Sequence, residues 1–166
     1  MAEDLPDQPD DLDRPPSFFP YEGTEELDEH HRAQGEPIEV QVEAVFAAQS
    51  GESIQRFVLL SDGSRKLPIV IGGFEAAAIT LPLDNQQPDR PMTHDLMRTF
   101  LDRLDATVSR VVIDDLWNST YYAKIYLSVN GEEMEIDSRP SDAIALAIRM
   151  EAPIFVVEGI LDQVGQ

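Results

Sequence analysis

The chain has 166 residues, with 32 Asp and Glu against 12 Lys and Arg, a formal net charge of −20 and no cysteine. That length allows one domain of ordinary size. An acidic surface repels phosphate backbones, which excludes passive, tight nucleic-acid binding without a local basic patch or bound cations, and the missing cysteines exclude disulfide and thiolate chemistry.

Residues 1–37 carry 12 of the acidic residues, two basic ones (Arg14 and Arg32) and half of the 12 prolines. Such a stretch has too little apolar surface to offset backbone ordering, which costs about 1–2 kcal/mol per residue. It reads as an acidic, Pro-rich, largely disordered tail, in which Phe18, Phe19, Pro20 and Tyr21 form an apolar cluster able to dock on the domain or on a partner. The acidic N-terminus lacks the apolar stretch of a signal peptide, and no apolar run approaches the ~20 residues that span a bilayer. A soluble cytoplasmic protein with no membrane association is expected.

From residue 38 the pattern changes to period 2. Ile38, Val40, Val42, Ala44 and Phe46 alternate with Glu39, Gln41 and Glu43, as in a strand with one wet face. Residues 54–60 read as a second strand. Ser61, Asp62, Gly63 and Ser64 supply a turn, and residues 66–71 read as a third strand, giving a meander. Pro68 has no N–H to donate, so it marks an edge or a bulge. Gly72 and Gly73 then lead into a short helix at 74–83 with Glu75 at its start, either a plain strand-to-helix turn or an anion-binding nest.

Two short polar runs follow, at 90–95 (RPMTHD) and 137–142 (DSRPSD), and each leads from a proline-marked turn into a helix. In the first, Thr93 reads as the N-cap of a helix to about Leu104, with Leu96, Met97, Phe100, Leu101 and Leu104 on one stripe. His94 falls at the stripe's edge, where an imidazole can act as ligand, acid or base, and Asp95 falls on the far side. In the second, Ser138 or Arg139 is the cap, Pro140 suits the first turn and Asp142 lies within it. The helix runs on through Met150 and is apolar almost all round, with Asp142 and Arg149 sharing a polar strip. Arg139 can fork onto a phosphate or clamp a neighbouring carboxylate, and in so acidic a chain the clamp is favoured. Residues 154–157 read as a last buried strand.

Between these runs, Asn130-Gly131 marks a two-residue hairpin turn. It sets Leu127 against Met134, Ile125 against Ile136 and, on the opposite face, Lys124 against Asp137. A three-residue turn at 118–120 would match Val111 and Ile113 to Leu127 and Ile125 and bring Asp114 beside Lys124, whereas a two- or four-residue turn would substitute a neighbour such as Asp115. The row Asp114, Lys124, Asp137 is then either an exposed ion-pair ladder or a place for a divalent cation and a phosphate.

The whole reads as a single α+β domain at 38–158, with antiparallel or mixed sheets, an N-terminal three-strand meander, a central three-strand antiparallel unit and about three helices packed on them, followed by a C-terminal tail at 159–166. The succession LPIVIGGFEAAAI, RPMTHDLM, VVIDDLW, YYAKIYL and IDSRPSDAIALAIRMEAPIFV resembles the bifunctional nuclease domain family over about residues 38–158. The resemblance implies a compact α+β fold, self-association as a dimer or larger homo-oligomer, and phosphodiester hydrolysis of DNA and RNA, with nucleic acid bound weakly or transiently. For such a reaction Asp137 and Asp142 are candidate ligands of Mg²⁺ or Mn²⁺, with Glu75 or Asp95 completing the shell. His94 is the candidate proton shuttle, and Lys124 or Arg139 the phosphate contact. Two other classes remain open: a non-catalytic homo-oligomeric interaction or regulatory module with the same fold, and a small-molecule phosphate-binding domain using Gly72 and Gly73.

Overall fold

The computed structural model describes residues 33–51 and 53–164; the segment at 1–32, with the aromatic cluster at 18–21, lies outside the described residues. The alternating run builds β1 (Pro37–Ser50), which is followed by β2 (Ser53–Ser61) and β3 (Lys66–Ile71) in an antiparallel meander. β3 is an edge strand, as Pro68 requires. The helices α1 (Gly73–Leu83) and α2 (Thr93–Arg103) lead to a second antiparallel set, β4 (Ala106–Trp117), β5 (Thr120–Val129) and β6 (Glu132–Ser138). Then α3 (Pro140–Met150) carries the chain to β7 (Ile154–Val157) and α4 (Glu158–Val164).

The meander and the central unit belong to one seven-stranded sheet, ordered β3-β2-β1-β7-β4-β5-β6. β7 joins them. It pairs antiparallel with Pro37, Ile38, Glu39 and Val40 of β1 and parallel with Val111, Val112 and Ile113 of β4, which makes the sheet mixed. Four helices, one more than expected, complete the α+β fold. The additional one, α4, occupies most of what reads as a C-terminal tail in the sequence. It forms because Ile160 and Leu161 are fully buried and because Glu158 and Gly159 donate their backbone N–H to the carbonyls of Glu36 and Gln34. A side chain at Gly159 would collide with the Gln34 carbonyl, so this close approach needs glycine.

The β5–β6 register is the one the Asn130-Gly131 turn implies, with both turn residues at positive φ: Lys124 opposes Asp137, Ile125 opposes Ile136 and Leu127 opposes Met134. The β4–β5 register differs from expectation. Its turn has two residues, Asn118 and Ser119, both at positive φ, and Ser109 and Asp114 are extra residues at bulges. Val111 and Ile113 therefore oppose Ile125 and Ala123. The bulged Asp114 still lies 3.8 Å from Lys124 Nζ, but the closer partner of that ammonium is Glu135 rather than Asp137.

α3 is the central helix. Ala143, Ile144, Ala145, Leu146 and Ala147 are all buried, and the helix packs against α1, α2, β4 and β5. Alternating alanines let α3 approach these neighbours closely on several sides, so added volume has nowhere to go. Ala145→Leu is expected to lower stability by about 1–3 kcal/mol in urea unfolding, with the m-value unchanged.

Candidate active site

The cap of α2 is displaced by one residue from the sequence expectation: Met92, not Thr93, is the N-cap. Methionine offers no side-chain oxygen to the first-turn N–H groups, and the cap rests instead on the reciprocal bond, in which Asp95 Oδ2 accepts the Met92 backbone N–H at 2.9 Å. Thr93 thereby enters the helix and His94 turns inward, where it is buried. The apolar stripe of α2 is split. Met97 and Leu101 pack against the core, whereas Leu96, Phe100 and Leu104 remain exposed, Leu104 at 70% and Phe100 at 58%.

α3 starts as read, with Arg139 as N-cap and Pro140 in its first turn. The Arg139 guanidinium clamps two carboxylates. Nε and Nη2 donate to Asp142 Oδ2 and Oδ1 at 2.7 and 3.2 Å, and Nη1 donates to Glu75 Oε1 at 3.0 Å. Asp142 Oδ1 also lies 3.1 Å from His94 Nε2. Burial raises the Asp142 pKa, but the hydrogen bonds from Arg139 and His94 outweigh it and hold the carboxyl below its ordinary value. An ionised carboxylate only accepts, so His94 Nε2 carries the hydrogen of this bond and Nδ1 is left as the ring's basic nitrogen when the imidazole is neutral.

Asp95 is the second anchored carboxylate. Burial raises its pKa, and the Arg149 guanidinium together with the Met92 N–H more than reverses that. Arg149 Nε reaches Asp95 Oδ1 at 2.5 Å, while its Nη1 donates to the carbonyls of Ala78 and Ala145 at 2.7 and 2.9 Å. The polar strip that Arg149 shares with Asp142 in the sequence does not by itself show this bond to Asp95. The available signal was a single cation in an otherwise apolar helix.

Arg139, 65% exposed at its side chain, stands on the wall of a cleft of about 420 Å³. The cleft is lined by β3 and Gly72, by Glu75, by Arg139 and Ser141 at the start of α3, and by Ser119 of the β4–β5 turn with Thr120 and Tyr121 at the start of β5. Burial pushes the Tyr121 phenol up, so it remains a neutral donor there. The turn at Gly72 is not an open nest. The Glu75 carboxylate folds back against it and occupies the space a Cβ would need.

Of the residues singled out from sequence, His94, Asp142, Arg139 and Glu75 form one connected chain, and Asp95 flanks it through the first turn of α2. Lys124 and Asp137 do not join them. They oppose each other on the sheet face opposite the buried Ala123 and Ile125, and Lys124 pairs there with Glu135 and Asp114. Among the described residues no three His, Cys, Asp or Glu side chains are grouped to hold a metal ion. The set Asp137, Asp142 and Glu75 therefore does not fit a resident cation: Arg139 holds two of the three, and the third lies elsewhere.

The family model of the bifunctional nuclease domain matches residues 58–166, about two thirds of the chain and all of the clustered side chains. The chain belongs to the bifunctional nuclease domain family. A Mycobacterium tuberculosis protein named only as uncharacterized is 42% identical over 105 residues, 63% of this chain and 62% of its own. Bifunctional nuclease 1 of Oryza sativa subsp. indica is 32% identical over 101 residues, 58% of this chain and 30% of its own. Bifunctional nuclease 2 of Arabidopsis thaliana is 30% identical over 93 residues, 54% of this chain and 28% of its own. The chain thus spans less than two thirds of each relative's length. Among the described residues no helix is long and apolar enough to cross a membrane.

The depressed carboxyls of Asp95 and Asp142, like those of Asp62 and Glu133, tie the stability of the domain to pH. A carboxyl whose folded pKa is lowered contributes stability that is present above the ordinary aspartate value of 3.8 and is lost as pH falls through the lower, folded value. Unfolding free energy is expected to decline below about pH 4, with a shallower decline in Asp142→Asn. At neutral pH that substitution is expected to cost about 1–3 kcal/mol, the charge-assisted bonds being lost. Urea midpoints between pH 7 and 3 check both.

Proposed function

We propose that the chain hydrolyses phosphodiester bonds of nucleic acid at the cleft walled by Arg139. The observation that carries this reading is the donor count on Arg139. A guanidinium has five N–H donors, and the three bonds to Asp142 and Glu75 leave two, one on each terminal nitrogen, for a phosphate at the cleft wall. The family match and the names of the plant relatives support the same chemistry.

In this reading Arg139 binds the scissile phosphate and offsets charge developing on its non-bridging oxygens. Asp142 has two tasks: it keeps Arg139 aimed, and it fixes the His94 ring with Nε2 toward itself. His94 Nδ1 then takes the proton of the attacking water, and the imidazolium returns a proton to the leaving oxygen. Asp95 positions His94 by fixing the first turn of α2. Glu75 holds the second side of the guanidinium so that its free N–H groups do not swing away.

The reading is tested by incubating the purified chain with single-stranded RNA and plasmid DNA in Mg²⁺, in Mn²⁺ and in EDTA. Cleavage is expected to fall about 10²–10⁴-fold in His94→Ala and about 10²-fold in Arg139→Lys, which keeps a charge but loses the fork. Circular dichroism checks that both variants stay folded. Cleavage that persists undiminished in both folded variants overturns the assignment.

A second property has its own support. Leu96, Phe100 and Leu104 follow one another at four-residue spacing on the outer face of α2, a run of apolar surface unusual for an isolated helix face in water. We propose that this stripe is where two copies of the chain associate. Sedimentation velocity is expected to show a dimer that Phe100→Glu converts to monomer; a wild-type monomer at tens of micromolar would reject it.

A further inference from the structure

Phe74 is the most exposed large apolar side chain among the described residues, at 93%, and lies between Gly72 and Glu75, both of which line the Arg139 cleft. Exposed phenylalanine costs solubility and contributes nothing to the core, so its place beside an arginine-walled cleft calls for an occupant. A second cation stands next to it. The Arg56 guanidinium lies against Gly73, 3.5 Å from where a Cβ would be. Among the described residues Arg56 makes no hydrogen bond or ion pair, a state it shares with Arg90 and Arg103 but not with Arg65, Arg98, Arg110, Arg139 and Arg149.

A guanidinium with no partner among the described residues thus lies against Gly73, a bare aromatic ring is the next residue, and Glu75 after it is bonded to a second guanidinium with two spare donors, in a chain whose overall charge is strongly negative. The cations call for anions and the ring for a flat apolar group. A nucleotide strand supplies both at regular spacing, and a base can reach an exposed ring only when it is unstacked from its neighbours. The acidic surroundings favour the same choice, since a single strand carries a weaker electrostatic field than a duplex and suffers less repulsion.

We infer that Phe74 is a base-stacking platform that binds single-stranded nucleic acid, with Arg56 on an adjacent phosphate. The inference deepens the nuclease reading and takes from it the position of the scissile phosphate at Arg139. Phe74 selects unpaired substrate, and the footprint is small, covering one base and about two phosphates.

The test is fluorescence anisotropy with the full chain and three labelled, cleavage-resistant probes: a short 2′-O-methyl single strand, the same strand with abasic sites, and a hairpin duplex. Cleavage of natural RNA is measured alongside. Phe74→Ala is expected to weaken single-strand binding about five- to tenfold, to leave the abasic probe unchanged, and to be rescued by Phe74→Trp. The duplex is expected to bind more weakly than the single strand. The slope of log affinity against log salt is expected near −1.4, about −0.7 for each phosphate, and to lose one such increment in Arg56→Gln. Equal loss on base-bearing and abasic probes, no loss on either, or no single-strand binding at all overturns the inference. So does a Phe74→Ala effect confined to oligomeric state. Cleavage without the stacking signature leaves the nuclease reading standing and removes the platform; the signature without cleavage does the reverse.

Discussion

Everything in the site is hung from one buried cation. The Arg149 side chain is 4% exposed, and a guanidinium stripped of water must find protein acceptors or cost several kcal/mol. It finds one on each of three helices: Asp95 on α2, the Ala78 carbonyl on α1, and the Ala145 carbonyl on its own α3. Because an arginine's donors lie in one rigid plane, satisfying all three fixes the helices relative to one another more sharply than apolar packing does. Among the described residues no buried side-chain nitrogen or oxygen lacks a partner, so this geometry is met in full. The consequences reach the surface through Asp95. Its second oxygen caps α2, the cap decides which residue begins the helix, and that choice turns His94 inward to Asp142.

The same economy governs charge. A chain this acidic needs few cations if each is placed where it counts, and most are spent on internal neutralisation. Arg110 takes both oxygens of Glu133 while stacking over Tyr126, Lys124 takes Glu135, and Arg65 ties Asp62 to Asp162. These pairs quiet the sheet and its turns without creating a positive field. Arg139 differs because it stands on the cleft wall with two donors still open, and because one of its carboxylate partners, Asp142, is itself tied to a histidine. A lysine there would be a point charge without the planar fork; a guanidinium can hold the scaffold on fixed donors and still face the cleft with others.

Local signals carried much of this. Period-2 alternation marks β1 to β3, Pro68 marks the edge, and Asn130-Gly131 sets the β5–β6 register, because each depends on a few adjacent residues. The preference for a carboxylate clamp by Arg139 was legible for a similar reason, Asp142 being three residues away on the same first turn. What stayed hidden depends on distant partners or on backbone geometry without a side-chain signature. The bulges at Ser109 and Asp114 leave no trace in composition, and the turn closes on Asn118 and Ser119 with Thr120 already paired in β5, so the β4–β5 register differs from the one a three-residue turn implies. The parallel pairing of β7 with β4, the burial of Arg149 and the folding of α4 against Gln34 and Glu36 each need a partner tens of residues away. The exposed half of the α2 stripe shows the converse limit: periodicity says which residues share a face, not whether anything covers it.

The cleft itself follows from how β1 is shared. Its first four residues pair with β7 and those from Gln41 onward with β2, and the extra residue Glu43 interrupts the ladder just beyond that handover. A bulge there bends the strand and increases its twist, so the outer strands are not held in one flat plane. β3 and the β4–β5 turn, which belong to the first and the fifth and sixth strands of the sheet, can then face each other across one hollow. Both walls are therefore correct only when β7, a strand of four residues, is seated between β1 and β4. The site is thus a product of the whole sheet's curvature rather than of any local motif, and the two polar runs matter because they place Arg139 and His94 at the two helix starts that this curvature brings together.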